Sequence, residues 1–112
     1  MAGISSDIIR GYNDTMILYL LLDKPSYGYE ISKQIKALRI FHLNLKETTL
    51  YSAFTRMEKN GYITSFPGVG DNGGKKRTYY SITDAGREYY KARCEEWALT
   101  KEVVEQFIKK EN

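Results

Sequence analysis

Over residues 44–63 the apolar positions recur every three or four residues, which places Leu50, Ala53, Phe54 and Met57 on one side of a helix. Thr48, Thr49, Ser52, Thr55, Arg56 and Lys59 occupy the other side. Asn44 followed three residues on by Glu47 has the form of a capping box at the helix start, and Asn60-Gly61 is the matching stop. The polar side is short, rich in hydroxyls and ends in cations, a composition suited either to a DNA major groove or to an ordinary solvated surface.

Upstream, Ser5, Ser6 and Asp7 offer caps for a first helix running to about Asp23. Its apolar residues form two stripes, one of Ile9, Met16 and Leu20 and another of Ile8, Tyr12, Thr15 and Tyr19, so this helix needs two packing partners. Gly11 interrupts it, which predicts close approach of another backbone. Lys24-Pro25-Ser26 ends it, and Ser26 caps a second helix reaching about Leu38, with Ile31, Ile35 and Leu38 inward and Lys33, Gln34 and Lys36 outward. The second helix and the one over residues 44–63 then form a helix-turn-helix.

After Gly61 the period becomes alternating. Tyr62 to Phe66, a tip over residues 67–74 and a return strand over residues 75–82 predict a two-stranded hairpin. The predicted fold is therefore mainly α with a two-stranded β-hairpin (α+β), a winged helix-turn-helix over residues 1–82. Lys75, Lys76 and Arg77 leave the tip in a row, where they can meet phosphates. Gly73-Gly74-Lys75-Lys76 lacks the spacing and the Ser or Thr of a phosphate loop, which argues against nucleotide binding. Thr83 caps a last helix from Asp84 to about Lys110, roughly 40 Å long at 1.5 Å per residue, so it overhangs its own domain. Tyr90, Trp97 and Val104 are spaced by sevens, with Cys94, Lys101 and Ile108 on the interleaved track; this is the seam of a helix pair, and residues 83–112 read as a C-terminal dimerisation helix.

Composition refines this picture in a few places. The formal charge of the 112 residues is +3, but residues 1–82 carry eleven Lys or Arg against seven Asp or Glu, whereas residues 83–112 carry six against seven. The basic excess therefore accompanies the helix-turn-helix. The single cysteine, Cys94, excludes an internal disulfide and a zinc cluster, and its neighbours Glu95 and Glu96 argue against a redox switch. The single histidine, His42, has no nucleophile or acid arranged around it, and no metal set or carboxylate pair points to an enzyme. The longest apolar run, over residues 16–22, is too short for a membrane span, and the start of the chain lacks a signal sequence; a cytoplasmic protein without cofactor or metal is expected.

The stretches LYSAFTRMEKNGYI and GGKKRTYYSITDAG, followed by a terminal helix, resemble the PadR family of bacterial transcriptional regulators. The matching motifs are Leu50-Tyr51, Arg56-Met57-Glu58, Gly61, the basic run Lys75 to Arg77, Tyr79-Tyr80 and Thr83-Asp84-Ala85-Gly86; Ser52 stands where the family usually has a proline. A single C-terminal helix with Trp97 at its middle is similar to the small, multidrug-binding PadR subfamily. The resemblance implies a homodimeric repressor on a palindromic operator of double-stranded DNA, whose binding is relieved by a small aromatic effector at the dimer interface. Base contacts would come from Thr48, Thr49 and Ser52, and phosphate contacts from Lys33, Tyr51, Arg56, Lys75, Lys76 and Arg77. Trp97, Ile8, Tyr12, Thr15 and Lys101 would form the effector site. Lys101 stands where the subfamily has an acid, and Asp14 is the acid that could replace it. Two alternatives stay open: Tyr51 as a tyrosine bridging the recognition helix and the wing, and Trp97 as seam packing without a ligand. A competing class is a winged-helix protein-interaction module that does not touch DNA.

Overall fold

The computed structural model describes residues 6–37, 46–69 and 75–109. In chain order these form α1 (Ser6–Ile9), a 3₁₀ turn (Arg10–Tyr12), α2 (Asn13–Leu21), β1 (Ser26–Tyr27), α3 (Gly28–Ala37), α4 (Glu47–Lys59), β2 (Ile63–Val69), β3 (Lys76–Ile82) and α5 (Asp84–Glu105). The result is a winged helix-turn-helix with a long last helix, as the hydrophobic pattern predicts.

The core is where the three-and-four spacing of α4 says it should be. Leu50, Ala53, Phe54 and Met57 are buried together with Ile17, Leu18 and Leu21 of α2, Ile31 and Ile35 of α3, and Ile63 of β2. Burial of three large side chains, at about 1.5–3 kcal/mol each, outweighs the roughly 1 kcal/mol of a side-chain N-cap. Accordingly α4 forms although its N-cap residue Lys46 makes no side-chain cap bond. Glu47 is the first residue of this helix rather than the third residue of its opening turn, so the expected capping box does not form around it; Asn44 lies outside the described residues. The stop is as expected. Gly61 has φ +82°, a left-handed conformation that favours glycine. Its N–H donates to the Glu58 carbonyl at 3.1 Å while the Tyr62 N–H donates to the Met57 carbonyl at 2.9 Å, the paired bonds of a Schellman end.

The first helix departs from expectation. It is broken by a 3₁₀ turn at the helix-weakening Gly11, whose carbonyl accepts a hydrogen bond from Arg93 of α5. A guanidinium rather than another backbone therefore meets Gly11, where an added Cβ would find only ordinary contact. The turn also shifts the phase. Ile17, Leu18 and Leu21, which belong to neither expected stripe, face the core, while Ile9, Met16 and Leu20 of the first stripe are only half-buried.

A second departure is a third strand. Ser26 and Tyr27 pair antiparallel with Tyr80 and Tyr79, giving a sheet of order β1-β3-β2. Ser26, expected as a helix cap, is buried in that strand and donates to Glu30 at 2.5 Å. The hairpin is longer than its alternation implied, since Pro67, Gly68 and Val69 pair with Thr78, Arg77 and Lys76. Pro67 is tolerated because β2 is an edge strand.

Thr83 caps α5 as expected, accepting the Gly86 N–H at 2.9 Å and donating to the Gly61 carbonyl at 2.6 Å. The helix ends at Glu105, followed by a turn through Ile108, so at 22 residues it is about 33 Å long. It runs back along α2: Arg87 donates to the Leu22 carbonyl at 3.0 Å, and one turn beyond Arg93 the ring of Trp97 meets Tyr12 edge-on, with centroids 5.3 Å apart. Only Gly86 of α5 is buried, and the described chain extends 56 × 31 × 21 Å.

Candidate nucleic-acid interface

With its apolar side committed to the core, α4 presents Thr48, Ser52, Thr55 and Lys59 in one exposed stripe. Thr49 is half-buried and stands off this stripe. The Thr55 hydroxyl donates to the Tyr51 carbonyl at 3.0 Å, so Thr48 and Ser52 are the hydroxyls on the stripe without such a backbone bond among those described. On α3, Lys33, Gln34 and Lys36 are exposed as their spacing predicts.

Tyr51 extends from α4 over the start of α3, where its hydroxyl would lie 2.7 Å from a Cβ placed on Gly28. It meets Phe54 edge-on and keeps half its surface exposed, and it also lies near enough to Tyr80 of β3 to help raise that phenol, so it stands between α4, the start of α3 and the wing. Its hydroxyl thus lies near the α3 N-terminus, where backbone N–H groups favour an anion.

The three wing cations separate. Lys75 and Lys76 are exposed, whereas Arg77 turns inward over the rings of Tyr27 and Tyr29, at 5.2 and 5.8 Å from their centroids. Pairing across the sheet sets Tyr27, Tyr79 and Phe66 in a row on the same face, with ring contacts at 5.1 and 5.7 Å. The sequence reading missed this aromatic platform because it depends on the unforeseen strand β1.

Arg56 is half-exposed and hydrogen-bonds with its Nη2 to Asp14 of α2, whose side chain is 13% exposed. Asp14 is therefore satisfied by the recognition helix. Beside this pair the Tyr89 phenol is pushed above its usual pKa, first by burial and next by the Asp14 carboxylate. Burial, followed by the charge of Glu58, raises Tyr80, which stacks on Phe54 at 4.4 Å. Glu58 itself accepts the Ser65 hydroxyl at 2.5 Å, joining the end of α4 to the wing.

On the other side of α2 an open cavity of about 360 Å³ is lined by Ile8, Ile9, Tyr12, Thr15, Met16, Cys94 and Trp97. Four of the five residues expected at an effector site are thus brought together. Lys101 is not among them; it is exposed one turn beyond Trp97. Ile9, Met16 and Cys94 join the cavity instead, since the 3₁₀ turn brings both apolar stripes of the first helix toward α5. A hydrogen bond with Cys94, more than burial, raises the pKa of Tyr90. No group of His, Cys, Asp or Glu among the described residues could hold a metal ion, and none of the described helices is long and apolar enough to cross a membrane.

The pattern of the transcriptional regulator PadR-like family matches residues 17–92, which begins within α2, ends within the first half of α5 and includes the whole of α3, α4 and the wing strands. The chain belongs to the PadR-like family. This is a family of transcription regulators, not of enzymes. A transcriptional regulator from Clostridium thermocellum of known structure is 57% identical, with a TM-score of 0.84 over 95% of this chain and 99% of that one. A PadR family transcription regulator from Clostridium difficile is 38% identical, with a TM-score of 0.74 over 86% of this chain and 97% of its own. An uncharacterized protein from Lysinibacillus sphaericus is 43% identical over 105 residues, covering 94% of this chain and 95% of that one. In this PadR-like winged helix-turn-helix, α3 and α4 are accordingly the paired helices and β2–β3 the wing.

Proposed function

We propose that this PadR-like regulator is a homodimeric repressor that binds a palindromic operator and is released from it by a small aromatic or hydrophobic ligand at the dimer interface. The observation that carries the DNA reading is the exposed stripe of α4, where Thr48 and Ser52 stand free beside Arg56 and Lys59 while the opposite face is wholly buried. In this reading residues 1–82 are the DNA-binding unit, acting in the cytoplasm. Thr48, Thr49 and Ser52 read base edges, and Lys33, Tyr51, Arg56, Lys75 and Lys76 hold phosphates. Arg77 contributes from the base of the wing, with its guanidinium braced on Tyr27 and Tyr29.

Residues 83–112 supply the dimer contact. The far half of α5 and the turn after it expose Leu99, Val103, Val104, Phe107 and Ile108, with Phe107 85% exposed, an apolar surface that nothing in the same chain covers among the described residues. A second copy covers it economically, because a two-fold axis lets the same patch serve both sides. The lining of the cavity beside Trp97 is uncharged. Asp14 is occupied by Arg56 and Glu96 by Arg93, so neither supplies a free counter-ion, and the ligand is a neutral, flat aromatic molecule, as in the small multidrug-binding subfamily apart from charge.

Selection from a pool of randomised duplexes tests the DNA and dimer readings together. It should enrich a two-fold symmetric site with half-sites about one helical turn apart; a pool that stays random would reject both. Titration of Trp97 emission with neutral and cationic planar aromatics tests the ligand. Saturable quenching by neutral compounds that is lost in Trp97→Ala is expected, and silence toward all of them would leave Trp97 as packing.

A further inference from the structure

Arg56 and Asp14 lie 42 positions apart in the chain and join the recognition helix to the segment that lines the apolar cavity. Asp14 follows Tyr12 by two residues and precedes Thr15, and both of these face the cavity. Immediately upstream, the Gly11 carbonyl is held by Arg93, which also binds Glu96, the neighbour of Trp97. Contacts of Trp97 with Tyr12 and of Arg93 with Gly11 thus meet a short run of chain that leads to Asp14 and, by its hydrogen bond, to Arg56. Arginine has five N–H donors in a rigid fork, so a carboxylate on part of it fixes the plane while the remainder stays available to an anion. The half-exposed guanidinium of Arg56 beside a nearly buried Asp14 has this geometry.

We infer that Asp14 is a positioning residue for DNA binding: it aims Arg56 at the DNA backbone, and through it the cavity segment sets how well the recognition helix engages. The inference rests on the DNA-binding reading above. It makes a prediction opposite in sign to that of simple electrostatics. Asp14 is a negative charge close to the DNA-facing surface, so if only its field acted, neutralising it would strengthen binding to a polyanion. If it aims Arg56, neutralising it weakens binding, and only while Arg56 is present.

The experiment is a double-mutant cycle on a labelled mixed-sequence 24-base-pair duplex at low salt, where phosphate contacts dominate. Wild type, Asp14→Asn, Arg56→Gln and the double variant are compared, with Trp97 emission followed in parallel. Asp14→Asn should weaken binding about three- to tenfold, Arg56→Gln by at least as much, and the double variant no further than Arg56→Gln alone. Asp14→Glu, which keeps the charge but displaces the carboxylate, should also weaken binding and serves if Asp14→Asn folds poorly. DNA should shift Trp97 emission in wild type, since coupling between two sites is reciprocal, and Asp14→Asn should abolish the shift. Unchanged or tighter binding by Asp14→Asn, an equal loss when Arg56 is already replaced, or wild-type Trp97 emission that ignores bound DNA would each overturn the inference. Failure of wild type to bind any duplex is a different result, which overturns the DNA-binding reading and this inference with it.

Discussion

Thr83 shows how much one side chain holds in place. Its hydroxyl accepts from Gly86 and donates to Gly61, tying the start of α5 to the stop of the recognition helix. Thr83→Val keeps the shape and loses both bonds, which should lower stability by about 1–2 kcal/mol in urea unfolding, while Thr83→Ser should recover most of the loss. The cap and the Asn60-Gly61 stop were legible in the sequence because each is a local signal. The partners of Asp14 and Arg77 were not, since these depend on packing between distant elements. Burial raises the phenols of Tyr80 and Tyr89, and a hydrogen bond with Cys94 on the same helix raises that of Tyr90. A raised phenol favours the neutral form in the folded state, so the stability it carries is complete below about pH 10, the unfolded value, and is lost as pH rises through the folded one. Thermal melts should therefore be insensitive to these groups from pH 8 to 9 and fall above about pH 10. Replacing Tyr89 by Phe should lessen that fall.

At the scale of elements, α4 was readable from its period alone because one side is apolar and the other polar. The first helix was not, for two physical reasons. Residues 16–22 are apolar all round apart from Tyr19, so no stripe is marked, and at the break after Ile9 the Gly11 carbonyl bonds a guanidinium from distant α5. Strand β1 is two residues long and exists only by pairing with β3, which no local propensity announces. The exposed apolar end of α5, proposed as the dimer contact, makes a prediction at this scale. Val103→Ser combined with Phe107→Ser should leave the helix-turn-helix folded by circular dichroism. It should also shift sedimentation from dimer toward monomer by at least tenfold in dissociation constant. A variant that sediments like wild type would move the dimer contact elsewhere.

At the scale of the whole molecule, α4 is packed on one side by α2, which is in turn flanked by α5, so the exposed side of α4 and the cavity beside Trp97 share one helix between them. Under the proposed function, that arrangement would let a ligand at a dimer interface act on DNA by favouring one geometry of the two subunits, provided it binds that geometry better. The central claim is that the exposed side of α3, α4 and the wing meets the phosphates of duplex DNA. The measurement that tests it most directly is the affinity for a labelled duplex across a salt series, with wild type set against a Lys33→Gln/Lys75→Gln/Lys76→Gln variant. Each phosphate contact removed should flatten the plot of log affinity against log salt by about 0.9, so the variant should bind more weakly and with a visibly shallower slope. A wild-type affinity and slope retained by the variant would contradict the account.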